Sequence, residues 1–417
     1  MTGPRRRAAA LFVAGLLVLV TAFGTSWAFA PDTDRVTGEA NPGDATILVG
    51  VQGPGPNGNV TALDGHGNVR WSLGDIISYQ NVQRLDDGSV LATYAAGGYE
   101  ECGPYEPPCK RTGVRIIDPE PEPSVEYEWS YAIRTRKDSE VHDAEMLPNG
   151  NVLVADMEWE SIFIYDPETG DREWTWNASE FYEAPEDPTQ TDWLHLNDVD
   201  YIGDDRFLVS IRNMNQLLVV ERGEGVVEVI NEDHNSDVLD KQHNPHWLGD
   251  GAVLVADSEN HRVVELYENE STGEWEVAWS VAEVDGISLD WPRDADRLPN
   301  GNTFITDSRN NRVAEIREDG SLVASYTVPS LPYEADREPY GEPNASEVES
   351  YGSERRAQFG LGDRKIPVLS TVVGGMRHVV AMPYWVSEIH LIAVVLALGL
   401  WVRSGHLLVR GWRRGKQ

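Results

Sequence analysis

One pattern of polar and apolar residues occurs three times along the chain. It reads VHDAEMLPNGNVLVAD at 141–156, QHNPHWLGDGAVLVAD at 242–257 and PRDADRLPNGNTFITD at 292–307. Each copy has a polar opening, a glycine turn and an apolar run that ends on aspartate. A tight turn between two short strand-forming segments is typical of a β-hairpin. Each copy therefore predicts the first two strands of a repeated all-β unit.

The repeat has a fixed register. A polar residue lies eight positions before the turn position in five units, at Gln80, His142, Asn197, His243 and Arg293. The intervals of 62, 55, 46 and 50 residues are typical of four-stranded propeller blades. A first unit at 45–73 has the same strand pattern without the polar opening, and the sixth unit ends near 328. The sequence predicts a six-bladed β-propeller over 45–330 and a linker over 331–383.

A closed propeller brings the openings of its inner strands together. These strands run in the same direction along the central axis, so the five register residues are expected at one mouth of the channel. His195, two residues before Asn197, and Arg212, after the second strand of the fourth blade, are expected at the same mouth. His246 falls on the opposite strand face from His243, and we expect it to pack inside the blade.

Both ends of the chain are apolar. Residues 1–30 begin with a basic cluster and continue as an apolar run, which predicts a signal peptide or an N-terminal membrane anchor. Residues 384–402 are long enough to span a bilayer as a transmembrane helix. The basic tail at 403–417 then lies in the cytoplasm by the positive-inside rule. We expect a protein of the cell membrane with its propeller on the extracellular side.

The charge of the chain excludes one class of partner. The formal net charge is −35, and such a surface repels the phosphates of nucleic acid. The acidic residues are spread over a chain with 14 tryptophans and 41 % hydrophobic residues, which indicates a folded protein from concentrated salt rather than a disordered tail. No glycine-rich nucleotide loop occurs in a strand-to-helix setting, and no cofactor is expected.

The two cysteines, Cys102 and Cys109, flank a loop rich in proline and glycine. In an exported chain this spacing predicts a disulfide that closes the loop. No neighbouring histidine completes a set of metal ligands, so a metal is not expected there.

The predicted mouth combines imidazole and guanidinium groups. Arg212 and Arg293 can match the oxygens of sulfate or phosphate with paired hydrogen bonds. A histidine between them can act as a nucleophile or as a general acid or base. Any one of these side chains could instead cap its strand. Their shared register favours a site for a tetrahedral oxyanion.

Three segments of the chain resemble a known family. HDAEMLPNGN, HLNDVDYIGDDRFLVSIRNMNQLLVVE and QHNPHWLGDGAVLVADSEN are similar to the arylsulfate sulfotransferases, exported propeller enzymes that transfer a sulfuryl group between phenols without a nucleotide donor. The resemblance covers about 80 to 320. It implies that His243 is transiently sulfated and that the sulfate is bound by His142, His195, Asn197 and Arg212. Arg293 and Gln80 come from the repeat alignment.

The chain also departs from that family. It is shorter, has no obvious separate N-terminal β-domain, and adds the C-terminal span. Together with its acidity, these features make a membrane-anchored haloarchaeal member the expectation. An aryl sulfate and a phenolic acceptor are the expected small-molecule partners, while the oligomeric state is open.

Two other functions fit the same ring. Three histidines at a propeller mouth can bind a divalent metal for lyase or lactonase chemistry. The segments DSENHRVVEL and DSRNNRVAEI are similar to NHL-type repeats, whose propellers serve as recognition platforms. In that non-enzymatic interpretation Arg293 and the two Asn-Arg pairs would matter, and the histidines would not.

Overall fold

The computed structural model describes residues 3–37, 46–53, 57–76, 78–135, 138–249, 251–269, 271–328, 330–352, 357–359, 366, 368–380 and 382–414. The chain divides into two compact units. One unit contains residues 1–32 and 363–417, and the other is Thr33–Gly362. The terminal residues and the repeats are therefore separate bodies.

The larger unit is a six-bladed β-propeller, which confirms the predicted fold. Blade 1 contains Thr46–Val51, Gly58–Asp64 and Val69–Ile76, and blade 2 contains Ser78–Arg84, Val90–Tyr99, Cys109–Asp118 and Ser124–Ile133. Blade 3 contains Val141–Met146, Val152–Asp156, Ser161–Tyr165 and Arg172–Asn177, and blade 4 contains Leu196–Gly203, Arg206–Ile211, Gln216–Glu221 and Gly225–Ile230. Blade 5 contains His243–Gly249, Ala252–Asp257, Arg262–Glu268 and Trp275–Val281, and blade 6 contains Pro292–Arg297, Thr303–Asp307, Arg312–Ile316 and Leu322–Thr327.

Short elements lie in the connections between these strands. A small hairpin, Glu283–Val284 with Ile287–Ser288, follows blade 5. Single 3₁₀ turns occur at Ala178–Glu180, Pro188–Gln190, Arg212–Met214, Ser258–Asn260 and Ser308–Asn310.

Hydrophobic side chains fill the spaces between neighbouring blades. One core joins blades 3 and 4 and includes Leu153 and Leu218, while another joins blades 5 and 6 around Leu254, Trp279 and Ile305. A strand between two such cores is covered on both faces. This explains why second and third strands read as continuous apolar runs instead of alternating.

Blade 1 is completed by a strand from the far end of the repeats. Pro332–Arg337 pairs antiparallel with Thr46–Val51 and forms the inner strand of this blade. The prediction of a linker over 331–383 is wrong here. The physical reason is that three strands of blade 1 leave one inner edge unpaired, and a strand from the other end of the ring covers it.

Two further additions extend the propeller beyond 45–330. Ala357–Phe359 pairs parallel with the outer strand of blade 5, and Arg35–Val36 pairs with the outer strand of blade 6. Both cover strands that would otherwise be exposed edges. The propeller unit thus begins before the first predicted strand and extends into the predicted linker.

The smaller unit contains long apolar helices. Gly3–Ala28 and Glu388–Arg414 each include a stretch that is long and apolar enough to cross a membrane by length and composition, and a shorter helix spans Leu369–Val379. The second long helix begins four residues after the predicted start at 384. It continues to Arg414, so the predicted basic tail is helical as far as that residue, and residues 415–417 lie outside the described part.

Cys102 and Cys109 form a disulfide, with 5.6 Å between their Cα atoms. The bridge closes the loop between the second and third strands of blade 2. It accounts for the longest interval in the repeat, because this loop lengthens the blade without changing its four strands.

Candidate active site

Every inner strand is irregular at the register position or directly after it. In all six blades, pairing of the inner strand with the second strand shifts there by one residue. The extra residue lies at 80–81, 142–143, 197, 244, 293 and 333. Such a β-bulge leaves one residue without a pairing partner and re-aims side chains beside it. The repeat therefore builds the same local distortion six times around one axis.

Tyr333 is a member of this ring that was not predicted from the sequence. It lies on the closing strand of blade 1, eight residues before Gly341. The same spacing defined the other five positions, so the signal was present. The prediction missed it because the repeats were ended at about 330.

Aromatic rings meet at the mouth. The ring centroid of His142 lies 5.6 Å from that of His195 and 5.3 Å from that of Tyr333. The ring of His243 lies 5.9 Å from that of Tyr333. His142 and His243 thus contact one tyrosine from blade 1, and His195 contacts His142.

A guanidinium group stacks on the same cluster. The Cζ atom of Arg293 lies 4.5 Å from the ring centroid of Tyr333 and 3.9 Å from that of Trp291. Its Nη1 donates to Gln52 Oε1 at 2.7 Å, and its Nε is buried without an acceptor among the described residues. Stacking on aromatic faces holds the cation in place and leaves donors for an anion.

Arg212 lies in the 3₁₀ turn after the second strand of blade 4, where it was predicted. Its Nη1 donates to Asn213 Oδ1 at 3.0 Å, while its Nε is buried and has no acceptor within the described part of the chain. Its charge contributes to lowering the pKa of all three histidines. Arg212 is thus within electrostatic range of the whole cluster.

The hydrogen bonds of His243 define its tautomer. Its Nδ1 lies 2.8 Å from Ser258 Oγ, and that hydroxyl lies 2.6 Å from the carbonyl oxygen of Pro292. A hydroxyl has one proton, and the carbonyl can only accept, so Ser258 donates to Pro292 and accepts from His243 Nδ1–H. On this network the proton of His243 lies on Nδ1, and the Nε2 lone pair has no partner among the described residues.

His195 has an equivalent arrangement with a carboxylate. Its Nδ1 lies 2.7 Å from Asp192 Oδ1, which again directs the proton to Nδ1 and the lone pair to Nε2. The backbone of His195 has a φ of 56°. The carboxylate of Glu160 stabilises this conformation by accepting the N–H groups of Leu194, His195 and Leu196 at 2.8 to 3.0 Å.

His142 and Gln80 share one carboxylate. Glu140 Oε2 lies 3.5 Å from His142 Nε2 and accepts a hydrogen bond of 2.6 Å from Gln80 Nε2. Gln80 is therefore adjacent to the site and acts on His142 through Glu140. Asn197 donates from Nδ2 to the carbonyl oxygen of Gln242 at 3.0 Å, and its Oδ1 is buried without a donor in the described residues.

Burial keeps the imidazoles neutral. It lowers the pKa of His195 to about 4, against the opposing effect of Asp192. Burial also lowers the pKa of His243 well below its usual value, and the charges of Arg212 and Arg293 lower it further. The pKa of His142 is lowered by burial and partly restored by Glu140. At neutral pH the cluster therefore holds uncharged imidazoles beside two guanidinium cations.

The channel behind this mouth is acidic. Inner strands carry acidic or amide residues at alternating positions after the register residue, as in HDAE, NDVD, RDAD and YEAD. His246 lies among them and lines a cavity in the channel, so the expectation that it packs inside a blade is wrong. The acidic lining of the channel was not predicted, because alternating acidic and apolar residues in a single strand normally indicate a solvent-exposed face. Only closure of the ring turns that face inward.

Three histidines do not by themselves form a metal centre here. Within the described ranges, no group of three His, Cys, Asp or Glu residues is arranged to hold a metal ion. One ring nitrogen of His142, His195 and His243 instead faces Glu140, Asp192 and Ser258, respectively.

Comparison with known proteins identifies one related family. Residues 54–244 match the family model for arylsulfotransferase (ASST). That stretch contains His142, His195, Asn197, Arg212 and His243, and it ends before Arg293 and Tyr333. No curated protein matches the chain.

Several solved structures are similar to parts of the chain. A protein of unknown function from Bacteroides caccae is 15% identical, with a TM-score of 0.52 over 70% of this chain and 98% of that chain. The periplasmic gluconolactonase of Pseudomonas aeruginosa is 13% identical, with a TM-score of 0.42 over 70% of this chain and 98% of its own. Virginiamycin B lyase from Staphylococcus aureus is 11% identical, with a TM-score of 0.38 over 64% and 72%. At 15% identity, the likeness to the Bacteroides caccae protein concerns the fold alone.

The ring geometry and the sequence match meet on the same residues. Four of the six register positions, together with His195 and Arg212, fall inside the matched stretch. Over residues 54–244, the chain is therefore similar to the arylsulfotransferase family.

Proposed function

We propose that the propeller transfers a sulfuryl group from a phenolic sulfate ester to a phenol, with His243 carrying the group between the two. The observation that carries the proposal is the contact of 2.8 Å between His243 Nδ1 and Ser258 Oγ, which leaves the Nε2 lone pair without a partner among the described residues. Burial lowers the pKa of His243 well below its usual value, which favours the neutral imidazole. A neutral imidazole is a nucleophile at physiological pH, whereas a protonated one is not.

The first half-reaction transfers the group to the protein. His243 Nε2 attacks the sulfur, the N–S bond forms, and the bond from sulfur to the aryl oxygen breaks. The aryl oxygen leaves with the electron pair of that bond as a phenolate. Tyr333 can donate a hydrogen bond to this oxygen, because its buried hydroxyl has no partner among the described residues. Burial raises the pKa of Tyr333, so it stays protonated as a donor.

Charge stabilisation comes from the two arginines. Negative charge spreads over the three sulfuryl oxygens in the transition state, and preorganised donors lower its energy in a site from which water is excluded. Arg212 and Arg293 each have a buried Nε without an acceptor within the described chain. These groups are oriented before substrate arrives, so little reorganisation is needed.

The second half-reaction returns the group to a phenol. His195 Nε2 accepts the proton of the acceptor hydroxyl, and the oxygen then attacks sulfur and displaces His243. Asp192, hydrogen-bonded to His195 Nδ1, stabilises the imidazolium that forms. Protonated His195 then releases this proton to solvent, and the phenolate released in the first half-reaction takes one up, so the two halves are balanced.

Replacement of the nucleophile tests this function. His243→Ala should lower transfer from 4-nitrophenyl sulfate to a phenol by at least about 10³-fold, because covalent catalysis is lost. Brief exposure of the wild-type protein to the donor should add one sulfuryl group to the peptide that contains His243, detectable by mass spectrometry.

His66 provides a matched control, since it is an exposed histidine on a turn of blade 1. His66→Ala should transfer at the wild-type rate. Full turnover by His243→Ala, or label on a different residue, would refute the assignment.

The recognition-platform function has weaker support. Its two Asn-Arg pairs are occupied in structural contacts: Asp257 accepts from Asn260 and Arg262, and Asp307 accepts from Asn310 and Arg312. A side chain used in this way is not available to a partner. The metal-dependent lyase or lactonase remains a separate proposal, for which loss of activity with a chelator and recovery with metal would be the support.

Membrane anchoring belongs to the same proposal. Two apolar helices, Arg5–Ala28 and Glu388–Arg413, support an anchor by length and composition. The arginines at 403, 410 and 413 favour a cytoplasmic C-terminus and an extracellular propeller. The excess of acidic residues supports a halophilic source.

A further inference from the structure

A cavity of about 490 Å³ lies in the channel. Nine carboxylates contribute to its lining: Asp143, Glu145, Asp198, Asp200, Asp294, Asp296, Glu334, Asp336 and Glu342. No lysine or arginine is among the described residues that line it. The proposed sulfuryl transfer uses none of these groups.

Most of these side chains have a structural task. The inner strand of each blade is a sheet edge, and its outward N–H groups need acceptors. A channel side chain of one blade accepts the N–H of the next: Asp143 from Val199 at 3.0 Å, and Asp294 from Ala335 at 2.9 Å. Between other blades the acceptor is not a carboxylate: it is the side-chain amide of Gln83 in one case and the imidazole of His246 in another. The task therefore requires an acceptor atom but no negative charge.

Asp198 cannot perform this task. By register, the donor that Asp198 should meet is the N–H of residue 245, and that residue is Pro245, which has none. Asp198 is 3 % exposed and has a buried Oδ2 without a partner among the described residues. Asn244, the next ring member, is 9 % exposed and has an Oδ1 without a donor there. Two buried oxygens at neighbouring positions thus line the cavity without a donor from the described chain.

We propose that the channel binds a hydrated divalent cation of the Mg²⁺ or Ca²⁺ class, with Asp198 and Asn244 as its oxygen contacts. Carboxylate and amide oxygens are the ligands these hard cations prefer. No three acidic or imidazole groups of the described chain are positioned to share a metal directly, so the cation keeps part of its water shell. A cavity of this volume has room for those waters.

The surrounding charge favours the same occupant. An isolated ionised carboxylate is costly to bury unless it is paired or neutralised. Asp198 shares its cavity with eight other carboxylates, and no described lysine or arginine lines it. A divalent cation neutralises two of these charges without protonating any of them.

The cation would also assist anion binding at the mouth. Asp198 directly follows Asn197, and Asn244 directly follows His243. Ionised channel carboxylates repel a sulfate held by these register residues, and a cation between them reduces that repulsion. Each ligand should therefore tighten the binding of the other by the same factor.

Isothermal titration calorimetry on the full-length, chelator-treated protein in detergent tests the proposal. MgCl₂ or CaCl₂ is titrated at a constant KCl concentration and without aryl sulfate, so the result does not depend on the transferase function. The wild type should bind at one saturable site. Asp198→Asn, which keeps the shape of the side chain, should weaken that binding at least about tenfold.

Two further variants make the test specific. Asp171→Asn removes the same charge from the exposed surface and should bind like the wild type. Pro245→Ala supplies the missing N–H, which should occupy Asp198 and weaken cation binding without any loss of charge. The proposal is overturned if the wild type shows no saturable site, if Asp198→Asn binds normally, or if KCl abolishes binding equally in all variants.

Discussion

At the residue scale, the decisive contact is the hydroxyl of Ser258. This side chain is fully buried and lies between His243 Nδ1 and the carbonyl oxygen of Pro292. Its geometry selects one of two tautomers of equal charge. In the other tautomer Nε2 would carry the proton and could not attack sulfur. Ser258 is thus a positioning residue for the proposed nucleophile.

Replacing Ser258 separates this role from a purely structural one. Ser258→Ala should lower kcat about tenfold, the equivalent of one lost hydrogen bond, while KM changes little because the substrate contacts stay. Ser258→Thr keeps the hydroxyl and should recover most of the rate. Steady-state kinetics with 4-nitrophenyl sulfate measure both. An equal loss in the Ala and Thr variants would point to packing as the cause.

The register residues could be predicted from the sequence, but the residues that hydrogen-bond to them could not. His142, His243 and Arg293 follow from the eight-residue spacing, and Tyr333 follows from the same rule once the closing strand is known. Ser258 and Asp192 could not be found this way. Each is set by how loops of the blades meet, and no periodic signal marks them.

At the element scale, the closing strand controls both fold and site. Pro332–Arg337 fills the inner edge of blade 1 and supplies Tyr333. Six blades were predictable because their strands repeat at nearly constant intervals. The closing strand was not, because it pairs with a segment almost 300 residues earlier in the chain. Polar, proline-rich sequence around it also resembles a linker.

Truncation should reveal this dependence. A chain of residues 33–362 should unfold in one cooperative transition, since it contains the whole propeller unit. A chain of residues 33–331 lacks the closing strand and should lose that transition, because blade 1 and its neighbours then expose open edges. Thermal melts followed by circular dichroism compare the two. Equal melting temperatures would contradict the role of the strand.

At the scale of the whole molecule, opposing titrations set stability. Burial raises the pKa of Asp143 to about 8 and those of Asp296 and Glu342 to about 7, so the folded state binds more protons than the unfolded state above pH 4. Their stabilising contribution is lost as pH rises through those values. His195, with a folded pKa of about 4, has the opposite effect, but only between pH 4 and 6.5.

Above pH 6.5, the titration of the channel carboxyl groups is therefore no longer opposed by that of His195. In low salt with a chelator, the Tm should fall by at least about 5 °C between pH 6.5 and pH 8, as the channel carboxyls ionise against one another. Added salt or divalent cation should reduce this fall by screening or neutralising them. Differential scanning calorimetry at both pH values measures it. A Tm that rises over this interval would contradict the raised pKa values.

At the six bulges, the residues that contact a ligand are different from the strand pairs that stabilise the fold. An unpaired residue at a bulge can be exchanged while the strand pairing on either side of it stays the same. Evolution can therefore sample new combinations of six inward side chains on an unchanged scaffold, one blade at a time. Relatives with the same ring and different substrates should differ first at these positions, and a library randomised there should retain folded members.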